Sequence, residues 1–206
     1  MLLYLGDRNA ASEGRKLASL SRAKSYGEAG SILVLLTAIP SVGGLLGIVG
    51  FILVLLAIKD ISEVVADRAI FNDMLVAIGL AIAAIVVGVL VIAGSLLRFV
   101  GLNNLSLGPN FNPSTVPNGD WAGLIGSILI GLAAVWLISL VSSIYVRRSY
   151  REIAGKLKVG TFETAGLLYL IGAATTIILV GFLILFVAQI LVVVAFFSID
   201  DKGTPV

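Results

Sequence analysis

The stretch TAIPSVGGLLG, residues Thr37–Gly47, lies in the middle of a long apolar run that contains no charged side chain. Pro40 has no backbone N–H to donate, and it disfavours helical backbone angles at the residue before it. Gly43 and Gly44 follow closely, and glycine tolerates the backbone angles of a tight reversal. The stretch therefore predicts a break between two helical arms of one apolar run.

The composition is typical of a membrane protein. Of the 206 residues, 59% are hydrophobic and 13% are charged, whereas about a quarter of the residues in soluble domains are charged. Uncharged runs long enough to span a bilayer recur along the chain. These runs are 29–58, 74–97, 121–146 and 165–199. We therefore expect an all-α fold, a polytopic membrane helix bundle.

The lengths of the runs predict the number of crossings. Runs 74–97 and 121–146 would form helices of about 36–39 Å, enough to cross a hydrocarbon core of about 30 Å once. Runs 29–58 and 165–199 would reach about 45–53 Å, so we expect each to fold as a helical hairpin, the second broken near Thr175–Gly181. The alternative for each long run is one tilted, kinked helix. We expect two full transmembrane helices flanked by two hairpins, about six hydrophobic helices. The residues expected at the breaks are Pro40, Gly43, Gly44 and Gly181.

The basic residues predict the orientation of the chain. Five Lys and Arg residues lie in 1–28 and five in 147–164, whereas 101–120 contains none. Cytoplasmic segments of membrane proteins carry an excess of Lys and Arg. We therefore expect both termini in the cytoplasm and only 101–120 outside. The expected parts are a basic N-terminal segment 1–28, a membrane domain 29–199 and a cytoplasmic tail 200–206.

Small residues recur at helical spacing within the runs. Close packing of membrane helices favours such residues, because they let two backbones approach each other. We expect these residues in helix contacts, either within the chain or at a homodimer seam. They are Gly43, Gly47 and Gly50 in the first run and Ala77, Ala81, Ala84 and Gly88 in the second. Gln189 is expected to form a hydrogen bond between helices, since its amide lies in an apolar run.

Few side chains in this sequence could act in catalysis, bind a metal or carry protons across a membrane. The chain has no Cys and no His, which removes disulfides, thiolate nucleophiles and most transition-metal sites. The runs contain no ionisable residue, whereas proton relays and ion-coupled carriers use such residues in the membrane. We expect no enzyme, no cofactor and no metal, and the net charge of +2 gives no reason to expect a nucleic acid. Asn104 begins the sequon Asn-Leu-Ser and is a candidate glycosylation site.

Two connecting segments are expected to lie on the membrane surface as amphipathic helices. Segment 59–73 has two basic and four acidic residues, and segment 147–164 has five basic and two acidic residues. Opposite charge predicts that the two segments attract each other. The alternative is that the basic segment binds anionic lipid headgroups.

Three stretches resemble one family of membrane proteins. They are SLSRAKSYGEAGSILVLLTAIPSVGGLLGIVGFILVLLAIKDIS, DRAIFNDML and FETAGLLYLIGAATTIILVGFLILFVAQILVVVAFFSI, which lie within 19–199. This part of the chain is similar to the domain-of-unknown-function 996 group of prokaryotic, largely archaeal, proteins. The resemblance implies a multi-pass membrane protein and supplies no catalytic or binding residue.

Two functions remain from these patterns. The first is a non-enzymatic structural, scaffold or accessory subunit that works by packing in the membrane, in contact with lipid and as a homo-oligomer or part of a larger complex. Two shallow hairpins entering from one side would also wedge that leaflet and shape the membrane. The alternative is a small-solute transporter or channel, because broken helices in corresponding halves mark substrate sites in some carriers.

Overall fold

The computed structural model describes residues 2–39, 43–100 and 121–200, and these ranges contain helices joined by short turns. The fold is all-α, as the sequence predicted. A 3-10 turn at Leu36–Ala38 follows the first α-helix, and another at Thr176–Ile178 follows the fifth. The six α-helices of the described ranges are α1 Leu2–Leu35, α2 Gly43–Val64, α3 Arg68–Val100, α4 Trp121–Leu157, α5 Gly160–Thr175 and α6 Val180–Phe197.

The helices form a ring in chain order. Each helix packs against the next one, and α6 returns to pack against α1. Neighbours are antiparallel: on α3 and α4, for example, Ile70 contacts Ser149 near one end of the pair and Ser95 contacts Ser127 near the other. Antiparallel neighbours with short connections are the expected arrangement for consecutive helices of a bundle.

The most closely packed core lies at one end of the ring. There Phe162 of α5 meets Phe196 of α6 edge-on, with ring centroids 5.1 Å apart. Ile61 of α2, Ile70 of α3 and Ile153 of α4 are fully buried in the same cluster. This end also carries the turns between α2 and α3 and between α4 and α5, and most of the ion pairs. We call it the charged end.

The two turns at the charged end correct one prediction. Segments 59–73 and 147–164 do not form separate helices on a membrane surface; each contains the end of one helix, a turn and the start of the next. Ala66 and Lys158 adopt positive φ angles of 54° and 56° in these turns. The reversal is tight because the left-handed backbone turns the chain at a single residue. Ser62 completes the first turn by donating to the Asp67 carbonyl, at 2.7 Å.

Five of the described helices are long and apolar enough to cross a membrane, against the six expected. These spans are Gly43–Val64, Arg68–Arg98, Ala122–Leu157, Gly160–Ile178 and Val180–Phe197. The sixth helix, α1, is one continuous helix that includes the basic residues of 1–28. Charge therefore lowers its hydropathy, and only its last turns, from Ala29 onward, are apolar.

The helices reach unequal heights above the charged end. Trp136 of α4 donates from Nε1 to the Ala173 carbonyl of α5, at 3.0 Å. The turn that ends α5 therefore lies beside α4 near residue 133. Beyond that level, α3 from about 89 to 100 and α4 from 121 to about 133 continue together. Twelve helical residues add about 18 Å, and we call this extension the distal pair.

Candidate functional site

The first helix break lies between α1 and α2. Ile39 has φ −83° and ψ 119°, the extended backbone that a following proline favours. The Thr37 hydroxyl donates to the Val34 carbonyl at 2.7 Å, and the Gly43 amide donates to the Ile39 carbonyl at 3.0 Å. The polar groups at the end of α1 are thus bonded locally, which an apolar environment requires.

The glycines after this break differ in their surroundings. A Cβ on Gly43 would overlap the backbone of Thr37, and a Cβ on Gly47 would overlap the Thr37 methyl group. A Cβ on Gly44 would meet nothing within 4 Å. Gly43 is therefore needed for the close return of the chain, whereas Gly44 is replaceable on steric grounds. Pro40 lies outside the described residues.

The second break lies between α5 and α6 and uses a different device. Leu179 adopts a left-handed backbone, with φ 60° and ψ −29°, which is uncommon for a residue other than glycine. Gly181 follows, and a Cβ there would overlap the Gly172 carbonyl and the Thr176 amide. The Thr176 hydroxyl donates to the same Gly172 carbonyl at 2.7 Å. The reversal therefore depends on Leu179 and Gly181, and it needs no proline.

Two glycines bring α1 and α2 together below the first break. A Cβ on Gly50 would lie 2.6 Å from the Gly30 carbonyl oxygen, and a Cβ on Gly30 would lie 2.7 Å from the Gly50 carbonyl oxygen. Sequence reasoning placed Gly50 in a helix contact but did not find Gly30. Two glycines twenty residues apart give no periodic signal within one helix.

A buried polar network joins α1, α5 and α6. Gln189 of α6 donates from Nε2 to the Ser31 carbonyl of α1, at 3.1 Å. The Tyr169 hydroxyl of α5 donates to Gln189 Oε1. The interhelical hydrogen bond predicted for Gln189 is confirmed, and Tyr169 is a partner that the sequence did not reveal. The network closes the ring, because it binds α6 to the first helix.

The small residues of α3 lie mainly toward α4. Ala77 and Ala84 are buried, and the Ser142 hydroxyl of α4 donates to the Ala77 carbonyl at 2.8 Å. A Cβ on Gly88 would meet the Val135 side chain of α4 at 3.4 Å. Ala81 is half-buried. Hydroxyl donors and small residues together hold these two long helices close.

Ion pairs tie the helices together at the charged end. Arg22 of α1 contacts Asp60 of α2 through two bonds, Nε to Oδ2 at 2.8 Å and Nη2 to Oδ1 at 3.3 Å. Hydrogen bonding to Asp60 and its negative charge raise the pKa of Arg22 above its ordinary value. Lys156 lies 3.6 Å from Asp67, so the two connecting segments of opposite charge do contact each other. Asp60 is 8% exposed, and its burial against α1 was not predicted.

The described residues offer no metal site, since no group of three or more Asp, Glu, Cys or His side chains is placed to hold an ion. Asn104, the candidate glycosylation site, lies outside the described residues. The polar groups that the structure does bring together are therefore those of the breaks, the Gln189 network and the charged end.

Comparison with known proteins decides the family. The model of the family described as "Protein of unknown function (DUF996)" matches residues 46–190. The chain belongs to the DUF996 family. An uncharacterized protein of Methanocaldococcus jannaschii is 32% identical over 182 residues, covering 88% of this chain and 94% of the relative. No solved structure matches the chain. The membership agrees with the resemblance found in the sequence, and it extends over most of the ring of helices.

Proposed function

We propose that this DUF996 protein is a non-enzymatic structural element of the membrane, a scaffold or accessory subunit that wedges one leaflet. The observation that carries the proposal is the unequal height of the helices. Both breaks lie at a similar level, because Ser31 of α1 is beside Gln189 of α6, and each residue is a few turns from its own break. Beyond that level, among the described residues, only the distal pair continues.

The helix lengths show how large this difference in height is. The apolar part of α2, 43–58, is about 24 Å long and α6 is about 27 Å long, whereas 74–97 of α3 is about 36 Å long. A hydrocarbon core is about 30 Å thick. The shorter helices therefore end short of or near the far side of the core, whereas the distal pair reaches beyond them. The bundle is then broader at the charged end than at the end formed by the distal pair, which gives the protein a wedge-shaped cross-section.

The proposed orientation places the charged end in the cytoplasm. The basic residues of 1–28 and 147–164 then lie on the side that positive charge favours, and 101–120 lies outside. Both termini would be cytoplasmic if α1 enters the membrane only with its last turns, from Ala29, and returns through α2. The wedge would then widen the cytoplasmic leaflet.

Orientation in reconstituted vesicles tests the wedge. The outer leaflet of a small vesicle is expanded relative to its inner leaflet, so the charged end should face outward more often in small vesicles than in large ones. The chain has no native cysteine, so a Lys16→Cys variant reports this orientation through labelling with an impermeant maleimide. Equal outward fractions in small and large vesicles would contradict the wedge. A variant with Asn110→Cys provides the complementary signal.

A second candidate function rests on the Gln189 network. A transporter or channel needs polar groups within the membrane, and the network places Gln189 and Tyr169 where α1, α5 and α6 meet. Flux of small solutes into vesicles above the level of empty vesicles, abolished by Gln189→Leu, would favour this alternative. The structural role is supported if no flux is detected and the charged end faces outward more often in small vesicles than in large ones. Co-purification from native membranes would then identify a partner or a homo-oligomer.

A further inference from the structure

One face of α4 changes from apolar to basic without a change of direction. Val141 and Ile144 are 43% and 40% exposed, and Arg148 and Arg151 are exposed one and two turns later. Residues separated by three, four or seven positions share a face of an α-helix. An outward-facing apolar strip on α4 therefore leads directly to two guanidinium groups.

The neighbouring helix adds a second apolar wall on the same side. Leu167 and Ile171 of α5 are each 40% exposed. Arg151 Nε lies 3.9 Å from Glu163 Oε1, so the outward faces of α4 and α5 adjoin. At Gly166, a Cβ would lie 3.1 Å from the Arg147 Cα, which shows how closely the two helices approach. We call the adjoining outward faces of these two helices, which carry arginines at the charged end, the groove between α4 and α5.

The basic side chains at this end outnumber the acidic ones, so an anion can bind there. Arg148 lies over the Tyr145 ring, 5.7 Å from its centroid, and no carboxylate in the described part of the chain lies within ion-pair distance of it. The Arg151–Glu163 pair is long and exposed, with side chains 70% and 59% accessible, and such pairs contribute little. Glu152 is the other exposed carboxylate nearby. Segment 147–164 as a whole has five basic and two acidic side chains.

We propose that the groove between α4 and α5 binds an anionic phospholipid. Its phosphate would contact Arg148 and Arg151, and its acyl chains would lie along Val141, Ile144, Leu167 and Ile171. Arginine suits this role because its planar group donates two parallel hydrogen bonds to a phosphate. The site requires only that the helices are embedded in lipid, so it does not depend on the wedge or on which leaflet contains the charged end.

Lipid binding to the full-length protein in neutral detergent tests the site. Native mass spectrometry with added phosphatidylglycerol should detect a bound lipid that phosphatidylcholine and inorganic phosphate do not replace. The double variant Arg148→Gln, Arg151→Gln should lower the apparent affinity for phosphatidylglycerol about 30-fold, at the usual contribution of each basic side chain to anionic lipid binding. Arg98→Gln removes one positive charge at the opposite end of α3 and should leave the affinity unchanged.

Several results would overturn the proposal. One is equal affinity of the wild type for phosphatidylglycerol and phosphatidylcholine. Another is an equal loss of affinity in Arg98→Gln and in the double variant. If the double variant does not fold, the variant Arg148→Lys, Arg151→Lys retains the charges and loses the paired donors. This lysine variant should bind phosphatidylglycerol more weakly than the wild type does. It should still bind phosphatidylglycerol more strongly than it binds phosphatidylcholine. An affinity for phosphatidylglycerol equal to that of the wild type would contradict the site.

Discussion

Gly30 and Gly50 face each other so closely that a Cβ on either residue would lie within 2.7 Å of the other's carbonyl oxygen. The contact sets the separation of α1 and α2 midway between the break and the ion pair of Arg22 with Asp60. In lipid, apolar side chains gain little by leaving the acyl chains, so close backbone approach contributes much of the association of helices. The position of α1 in the ring therefore depends on these two glycines.

Replacing Gly50 by alanine should separate the two helices. The added methyl group meets backbone atoms, which cannot rotate away, so we expect a loss of about 1–3 kcal/mol, the range for overpacked cores. Thermal unfolding in detergent measures the effect. Gly79→Ala is the matched control, because a Cβ there meets nothing within 4 Å. Equal melting temperatures for the two variants would show that the contact is not needed.

Gly47→Leu tests the glycines nearer the break. A Cβ on Gly47 overlaps a methyl group of Thr37, and a leucine side chain would need more room than a rotation of Thr37 provides. We expect a lower melting temperature or a changed oligomeric state on size-exclusion chromatography. Gly44→Leu should have a much smaller effect, because Gly44 is exposed and has open space around its Cα. A wild-type profile for Gly47→Leu would mean that this part of α2 faces lipid.

The Gln189 network should couple three helices. Gln189→Leu removes the hydrogen bonds to Ser31 and Tyr169 and should lower the free energy of unfolding by about 0.6 kcal/mol for each bond, the average for hydrogen bonds between membrane helices, and by at most about 1.7 kcal/mol. A double-mutant cycle with Tyr169→Phe isolates the bond between the two side chains. Additive effects of the two substitutions would show that the bond contributes nothing.

Arg22 should matter more for stability than its exposure suggests. Its side chain is 55% accessible, but the side chain of its partner Asp60 is 12% accessible, and Arg22→Gln leaves that buried carboxylate without its cation. We expect a clearly larger loss of stability for Arg22→Gln than for Lys59→Gln, whose exposed pair with Glu63 spans 3.9 Å.

Because the pKa of Arg22 is raised, its charge is present below the ordinary arginine pKa and is lost only above it. The Arg22 contribution should therefore not change when the pH rises from neutral to moderately alkaline values. A fall in the difference between wild type and Arg22→Gln over that range would contradict this assignment.

The membrane orientation can be measured in whole cells. Single cysteines at Lys16 and Lys158 should resist an impermeant reagent until the membrane is opened, whereas a cysteine at Asn110 should react at once. The expectation follows from the distribution of Lys and Arg. Labelling of position 16 from outside, together with protection of position 110, would reverse the orientation.

The sequence by itself determined the class of the protein and the regions of the two breaks within its long apolar runs. Hydrophobic runs of sufficient length predict membrane helices whatever their neighbours are, because lipid requires each backbone group to bond within its own helix. The effect of Pro40 on Ile39 is also local, and α1 ends within a few residues of it. The predicted bond of Gln189 followed from the cost of an isolated amide in an apolar run.

Only the tertiary structure decided which residues meet. Gly30 is twenty positions from Gly50, and Ser31 is 158 positions from Gln189, so no periodicity within one helix could pair them. The sequence also separated the basic segment 1–28 from the first apolar arm, whereas the structure joins them in one helix, since no proline lies near the boundary. The two tight turns at Ala66 and Lys158 replaced the expected surface helices for a related reason. A turn made by one left-handed residue leaves almost no signal in composition, and its position depends on the packing of the helices that it connects.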